Sequence, residues 1–242
     1  MKFSIKSWLT SEVIYEGEGD SLKVVLEAGV KAGVCFDRAS LDGASLVGAS
    51  LDRASLDGAS LVGARLDRAS LVGARLDRAR LDRARLDGAS LDRASLDGAS
   101  LDRARLDGAS LDGASLDGAS LDGASLVGAR LTPIRDDIWA VLSASPAEVP
   151  ALRQAIIEGR VNGSAYEGEC ACLVGTLANA RGCNYKAIPN LQPDSNRAAE
   201  CFFMAIRKGD TPETNQAAAL AVQWVDEWLS NMRAAFGASV AV

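Results

Sequence analysis

The sequence contains no histidine among its 242 residues, and only 5% of its residues are aromatic. Without histidine, the chain lacks the side chain that most often acts as a general base or binds a metal near neutral pH. A Walker motif and a dinucleotide-binding glycine motif are also missing. Catalysis would therefore depend on carboxylates or cysteines, and the sequence favours a protein that is not an enzyme and uses no cofactor.

Long apolar runs are missing as well, so the sequence predicts no membrane-spanning helix and no contact with a membrane. The first six residues lack the apolar region of a secretory signal, and five cysteines without a regular spacing fit a reducing compartment. We therefore expect a cytoplasmic protein. The net charge is −6 with no strongly basic segment, which predicts no direct binding to nucleic acid.

What the chain does contain is a five-residue unit that repeats twenty times between residues 34 and 133 without an insertion or deletion. The centre of each unit is Phe36 in the first and leucine in all the others, from Leu41 to Leu131. Alanine lies two places before each leucine, Ser or Arg one place before it, and mostly Asp or Val and then Gly or Arg follow it. This regularity predicts the architecture of nearly half of the chain.

A five-residue period fits neither a helix nor a simple strand. Leucines five residues apart would move around a helix axis, and the many interior glycines would each cost about 1 kcal/mol relative to alanine. Strands alternate with a period of two. The repeat therefore predicts a solenoid, in which each unit buries its apolar side by stacking on its neighbours.

The units Ala39-Ser40-Leu41-Asp42-Gly43 and Ala64-Arg65-Leu66-Asp67-Arg68 resemble those of the pentapeptide-repeat proteins. This resemblance implies a mainly β solenoid, a right-handed quadrilateral β-helix with one unit on each side and four units in each coil. Twenty units then make about five coils. The central leucine and the alanine two places before it are expected to point inward.

Residues 1–33 are expected to form a cap that covers the open end of this β-helix. We predict two short strands, over 2–8 and 12–15, with Gly17 and Gly19 ending the strand pattern. Ser21 is predicted to begin a helix that ends near Gly33. Such a cap would prevent end-to-end association of exposed strand edges, and Phe36 is predicted to fill the capped end.

Counting in fours places units twenty residues apart on the same side of the solenoid. One side then collects five stacked carboxylates, which are candidate partner-binding residues: Asp37, Asp57, Asp77, Asp97 and Asp117. Like charges about 5 Å apart repel, so two interpretations stay open. The stripe either imitates the phosphates of DNA or is an exposed column relieved by neighbouring arginines and solvent.

Residues 134–242 are predicted to form an all-α domain. We expect helices over 134–142, 145–158, 171–180, 195–207 and 211–236, with Ser145 and Thr211 as their capping residues at two of the starts. Trp224 and Trp228 lie one turn apart on the last helix and are further partner-binding candidates. Three segments of this region, 132–137, 166–175 and 209–214, resemble the C-terminal region of phage and prophage proteins.

Cysteine offers the one metal-binding pattern in this region. Four thiols are zinc candidates, Cys170, Cys172, Cys183 and Cys201, but a C-x-C pair followed by two separate cysteines is unlike common zinc sites. Buried free cysteine is the alternative.

Together these features predict a non-catalytic phage-type or prophage-type interaction or scaffold protein. A rigid rod would set the spacing, while the helical domain binds an unknown protein partner or a second copy in a homodimer. One alternative is a DNA mimic that binds a DNA topoisomerase such as gyrase, which resemblance to quinolone-resistance pentapeptide proteins implies. The rod is nearly neutral, with 15 aspartates and 13 arginines, which weakens this alternative. The second alternative is an enzymatic or metal-binding activity of the helical domain.

Overall fold

The repeat leucines and alanines point inward, as predicted. In the computed structural model, which describes residues 1–165, 167–168, 171–188, 191, 194 and 197–236, every central leucine from Leu41 to Leu131 is at most 4% exposed. The alanines from Ala39 to Ala119 are buried as well. Because burying one leucine contributes about 2 kcal/mol, this apolar column is the main source of stability in the repeat.

Parallel pairing joins residues that are twenty positions apart. The paired residues are those that precede each central residue, and the pairs run in an unbroken series from Cys35 with Ser55 to Ser110 with Arg130. The chain therefore returns to the same position after four units, a segment that we call a coil. Units twenty residues apart stack on one another, and the repeat consists of four such columns.

The five backbone N–H groups of a unit have a regular set of acceptors. The first closes a turn onto the preceding unit, the second bonds to the previous coil, and the third and fifth bond to the next coil. In many units the fourth N–H bonds instead to an aspartate carboxylate of the previous coil. In the unit centred on Leu61 these acceptors belong, in order, to Leu56, Ala39, Arg80, Asp42 and Asp82. The aspartate carboxylate thus accepts a hydrogen bond from a backbone N–H that has no backbone carbonyl partner.

The N-terminal segment forms strands β1 (Lys2–Lys6) and β2 (Val13–Glu18), which pair antiparallel, and helix α1 (Leu22–Lys31). Ser21 caps α1 as predicted, since its side chain accepts from Val24 N. The predicted end of the second strand is wrong, because Gly17 pairs with Phe3 inside the ladder. A Cβ on Gly17 would lie 2.9 Å from Val25 Cγ1, so this glycine allows α1 to pack closely on β2.

The N-terminal segment also supplies hydrogen-bond acceptors to the first coil, which has no preceding coil to bond to. Ser40 N donates to Lys6 O over 2.7 Å, and Ser50 N donates to the Glu27 carboxylate over 2.8 Å. Phe36 is fully buried and meets the Tyr15 ring edge-on, with 5.9 Å between the ring centroids. These contacts satisfy exposed amides and cover the apolar end of the repeat, which are the two tasks of a cap.

A second compact unit, Ile134–Val242, follows the unit Met1–Pro133. Its described residues contain α2 (Thr132–Ala144, which begins in the first unit), α3 (Val149–Ile157), α4 (Leu173–Arg181), α5 (Ala198–Phe203) and α6 (Gln216–Phe236). Two short 3₁₀ helices span Pro146–Glu148 and Tyr185–Ala187. Among the described residues, no helix is long and apolar enough to cross a membrane.

Two predicted helix starts differ from the structure. Ser145 does not cap a helix: its hydroxyl is buried and makes no hydrogen bond to a described residue, and the next three residues form a 3₁₀ turn. The last helix begins at Gln216, after a turn in which Thr214 N donates to Thr211 O. Asn215 supplies the cap, since its Oδ1 accepts from Ala218 N over 3.0 Å. The predicted helix over 195–207 is also longer than α5.

Candidate interaction surfaces

The stacked aspartates that the sequence singled out are linked by hydrogen-bond donors. We call Asp37, Asp57, Asp77, Asp97 and Asp117 the aspartate column. Asp37 Oδ1 accepts from Ser55 Oγ over 2.7 Å and from Asp57 N over 3.1 Å. Ser95 and Ser115 bind Asp77 and Asp97 in the same way. The expected repulsion between neighbouring carboxylates is therefore reduced, because a hydroxyl and an amide lie between them.

The pKa of Asp37 reflects these opposing effects. Burial by itself would raise the pKa, but hydrogen bonds from Ser55, Cys35 and Asp57 N outweigh it, and the pKa lies below the usual aspartate value. The Asp92 carboxyl, in another column, also has a lowered pKa: burial opposes the shift, and Ser110 and Asp112 N produce it. Both carboxylates are ionised at neutral pH and serve as acceptors between coils.

A positively charged side chain lies against the aspartate column. Arg75 forms an ion pair with Asp57, and the hydrogen bond from Arg75 to this carboxylate raises the Arg75 pKa. An open groove of about 590 Å³ follows the column and is lined by Asp37, Arg38, Asp57, Gly58, Asp77, Arg78 and Asp97. At its edge, Trp8 Nε1 donates to Gly58 O over 2.7 Å. The groove has mixed charge, unlike the uniform charge of a phosphate backbone.

A second column was not identified from the sequence. In the units centred on Leu46, Leu66, Leu86, Leu106 and Leu126, arginine precedes the leucine three times in succession. We call Arg65, Arg85 and Arg105 the arginine column. They alternate with Asp67, Asp87 and Asp107 in a ladder of N···O distances between 3.0 and 3.9 Å. A search for arginines twenty residues apart would have found it.

In the helical unit, both tryptophans that were candidates for partner binding are buried. Trp224 is 6% exposed and Trp228 is 4% exposed. The Trp224 ring packs against Phe202, and Trp228 Nε1 donates to Ser143 Oγ over 3.2 Å. Their burial corrects the expectation of a surface role, because a partner could reach either indole only after the packing of this unit is disrupted.

The zinc candidates differ in their surroundings. Cys170 lies outside the described residues, Cys172 and Cys201 are buried, and Cys183 is half-buried. Burial, followed by the nearby Glu200 carboxylate, raises the pKa of the Cys172 thiol to about 12. A protonated thiol is a poor zinc ligand. Among the described residues, no three His, Cys, Asp or Glu side chains are arranged to hold a metal ion.

Comparison with known proteins places the repeat in a family. Eight copies of the family model for pentapeptide repeats match residues 35–71, 69–108 and 99–132. The chain is 30% identical to a pentapeptide-repeat protein of the Arabidopsis thaliana thylakoid lumen, covering 52% of this chain and 82% of that one, with a TM-score of 0.44. This chain belongs to the pentapeptide-repeat proteins, and its repeat is a β-helix solenoid.

Matches to other solved structures cover a smaller share of the related chain. A pentapeptide-repeat protein from the cyanobacterium Cyanothece 51142 is 38% identical, with a TM-score of 0.34, and the match covers 34% of this chain and 56% of that one. A plasmid-mediated fluoroquinolone resistance protein is 16% identical over 40% of this chain and 57% of that one, with a TM-score of 0.22. No match was found among curated protein sequences. The family match ends at residue 132, so the resemblance of the helical unit to phage proteins stays a prediction.

Proposed function

We propose that this protein is a non-catalytic scaffold that binds other proteins through the fixed outer surface of its repeat and through its helical unit. Proteins of this family are generally structural or interaction proteins. The observation that carries the proposal is the bonding between coils. Backbone pairs and aspartate acceptors join each coil to the next, so the outward side chains project from fixed backbone positions. A surface of this kind binds without a large ordering cost.

The proposal includes the form of the rod. Pairing across twenty residues and twenty consecutive units support a right-handed quadrilateral β-helix of five coils. At about 4.8 Å for each coil, the rod would be roughly 24 Å long. A crystal structure with four sides for each coil would agree with this form, and one with three sides would exclude it.

We also propose a cytoplasmic location, which the irregular spacing of the cysteines supports. We further propose a phage or prophage origin, which the three phage-like segments of the helical region support. Imaging of the tagged chain in its host tests the location, and an envelope signal would contradict it. The genes that flank the coding sequence test the origin, which a chromosomal setting without phage genes would contradict.

The DNA-mimic alternative would use the aspartate column. Serine hydroxyls donate to Asp37, Asp77 and Asp97, and Arg75 forms an ion pair with Asp57. We therefore expect no inhibition of gyrase supercoiling at micromolar protein. Inhibition that weakens when Asp57, Asp77 and Asp97 are changed to Asn would instead support the mimic.

The scaffold proposal is tested in host cells with the full chain. Chemical crosslinking followed by affinity capture should recover the same protein partner in independent experiments, in amounts comparable to the chain. A version of the chain with scrambled surface charges in the repeat is the control for nonspecific capture. Metal analysis and a small-molecule turnover screen of the same sample test the enzymatic alternative. Turnover without a captured partner would contradict the proposal.

A further inference from the structure

Two aspartates of the arginine column, Asp67 and Asp87, lack a hydrogen bond that serine supplies to most other aspartates of the repeat. At nine places in the repeat, a serine hydroxyl of the next coil donates to an aspartate Oδ1, and eight of these pairs lie outside the arginine column. For Asp67 and Asp87, Arg85 and Arg105 stand where that serine would donate, whereas Asp107 keeps Ser125. Asp67 Oδ1 and Asp87 Oδ1 are buried and have no hydrogen bond, although the guanidinium of Arg85 lies 3.3 Å from the former. Buried polar atoms without hydrogen bonds are rare and concentrate where function overrides local stability.

The two charges of this ladder are not equally available to a partner. The arginine side chains at 65, 85 and 105 are 54%, 45% and 53% exposed, whereas Asp67, Asp87 and Asp107 are 14%, 23% and 30% exposed. The guanidinium groups also carry several outward donors in a planar fork, a geometry that matches carboxylates. A molecule that approaches this column therefore meets mainly positive charge.

Exposed apolar side chains lie at both ends of the same column. Val47 and Val127 occupy the position after the central leucine in the first and last units of the column, and they are 38% and 61% exposed. In residues 34–133, no other large hydrophobic side chain is exposed. The two valines are four coils apart, which corresponds to roughly 19 Å at the spacing of stacked strands.

We propose that the arginine column with Val47 and Val127 is the docking surface for one α-helix of a partner protein, acidic in its middle and apolar near both ends. The inference rests on the proposed role as a protein-binding scaffold. A helix of about 13 residues spans the distance between the valines at a rise of 1.5 Å for each residue. Acidic residues three or four positions apart on that helix recur at about 5 Å, close to the spacing of the arginines. A strand would present side chains about 6.7 Å apart and would lose this match.

The test measures binding of a fluorescent helical peptide to the full chain by anisotropy. The peptide is alanine-based, with glutamates in its middle and a leucine near each end, and a matched peptide carries lysine in place of glutamate. We expect the glutamate peptide to bind and the lysine peptide to bind at least tenfold more weakly. Equal binding of the two peptides, or no binding of the glutamate peptide at millimolar concentration, would overturn the proposal.

The decisive variant is Arg85→Ser with Arg105→Ser in one chain. Serine restores the hydroxyl donor for Asp67 and Asp87, so we expect an unchanged or higher melting temperature together with a roughly tenfold loss of peptide affinity. The matched control is Arg75→Ser, which removes an arginine from the same place in a unit of the aspartate column. An equal effect of the control would overturn the assignment to this column.

Two other outcomes would assign a different occupant. If the chain dimerises and the Arg85→Ser, Arg105→Ser variant is monomeric, the column binds a second copy. If labelled duplex DNA competes for the same arginines more strongly than the glutamate peptide, the occupant is a nucleic acid. Either result overturns the helix proposal. A host partner that still binds this variant would also overturn it while leaving the scaffold function intact, whereas the absence of any partner would contradict both.

Discussion

Ser55 Oγ donates a hydrogen bond to Asp37 Oδ1 over 2.7 Å, eighteen residues back along the chain and one coil below. The same oxygen accepts from Asp57 N over 3.1 Å. One carboxylate thus binds both a side chain and the backbone of the next coil. Because this pattern recurs through the repeat, the aspartates stabilise the stacking of coils and are not merely solubilising charges.

Ser60 gives the clearest test of this bond. Its hydroxyl donates to Asp42 Oδ1 over 2.5 Å and is almost fully buried. We expect Ser60→Ala to lower the free energy of unfolding by about 1 kcal/mol, because the substitution removes a charge-assisted hydrogen bond from a buried hydroxyl. Ser45→Ala is the control, since Ser45 is exposed and no repeat aspartate precedes it by eighteen residues. Denaturant unfolding measures both, and equal effects would contradict the role of the serine.

Acid should weaken the repeat through the same carboxylates. The pKa values of Asp37 and Asp92 are lowered below the ordinary 3.8 in the folded state, so the ionised form stabilises the fold above that value. This contribution is lost as the pH falls from about 3.8 through the folded-state values. We expect the unfolding midpoint in denaturant to drop as the pH falls below about 4, where the carboxylates of the unfolded chain begin to take up protons. Asp92→Asn should show a smaller drop; an identical pH dependence in this variant would refute the assignment.

Gly63 has a left-handed backbone with φ of +66°, and a Cβ there would meet no atom within 4 Å. Any cost of Gly63→Ala therefore arises from the backbone and not from a clash. We expect a loss of about 1 kcal/mol in the free energy of unfolding. Gly63→Asn should cost less, because asparagine tolerates this conformation. Thermal unfolding of the two variants compares them, and a larger loss for Asn would show that another effect dominates.

The cysteines should differ in reactivity. Cys35 is exposed, whereas Cys172 is buried and its thiol pKa is raised to about 12. At mildly alkaline pH we expect iodoacetamide to modify Cys35 and to leave Cys172 unmodified in the native chain, because the thiolate is the reactive form. Peptide mass spectrometry reads the sites, and unfolding the chain should make both react. Rapid native labelling of Cys172 would contradict its burial.

The sequence predicts the buried parts of the repeat well, because the same residue types occupy the same position in twenty successive units and pack in the same way. Leu41 through Leu131 are all buried, as their spacing indicates. The bond between Ser55 and Asp37 is harder to predict, since it joins residues that become neighbours only after the coil length is known. Exposure of Arg85 and the buried oxygen of Asp67 depend on side-chain geometry, which a sequence pattern does not contain.

The helical unit was less predictable for a related reason. Trp224 and Trp228 lie beside the apolar face of the last helix, but only the neighbouring helices determine that both indoles are covered. Asn215, and not Thr211, caps this helix because a turn intervenes between them. Local signals indicate that a helix exists more reliably than they indicate its first residue.

Native mass spectrometry of the full chain purified gently from its host measures the central claim most directly. If the protein is a binding scaffold, the dominant species should exceed the 25.2 kDa of the chain by the mass of a protein partner in fixed stoichiometry. A dominant species of 25.2 kDa that converts a small molecule would contradict the account.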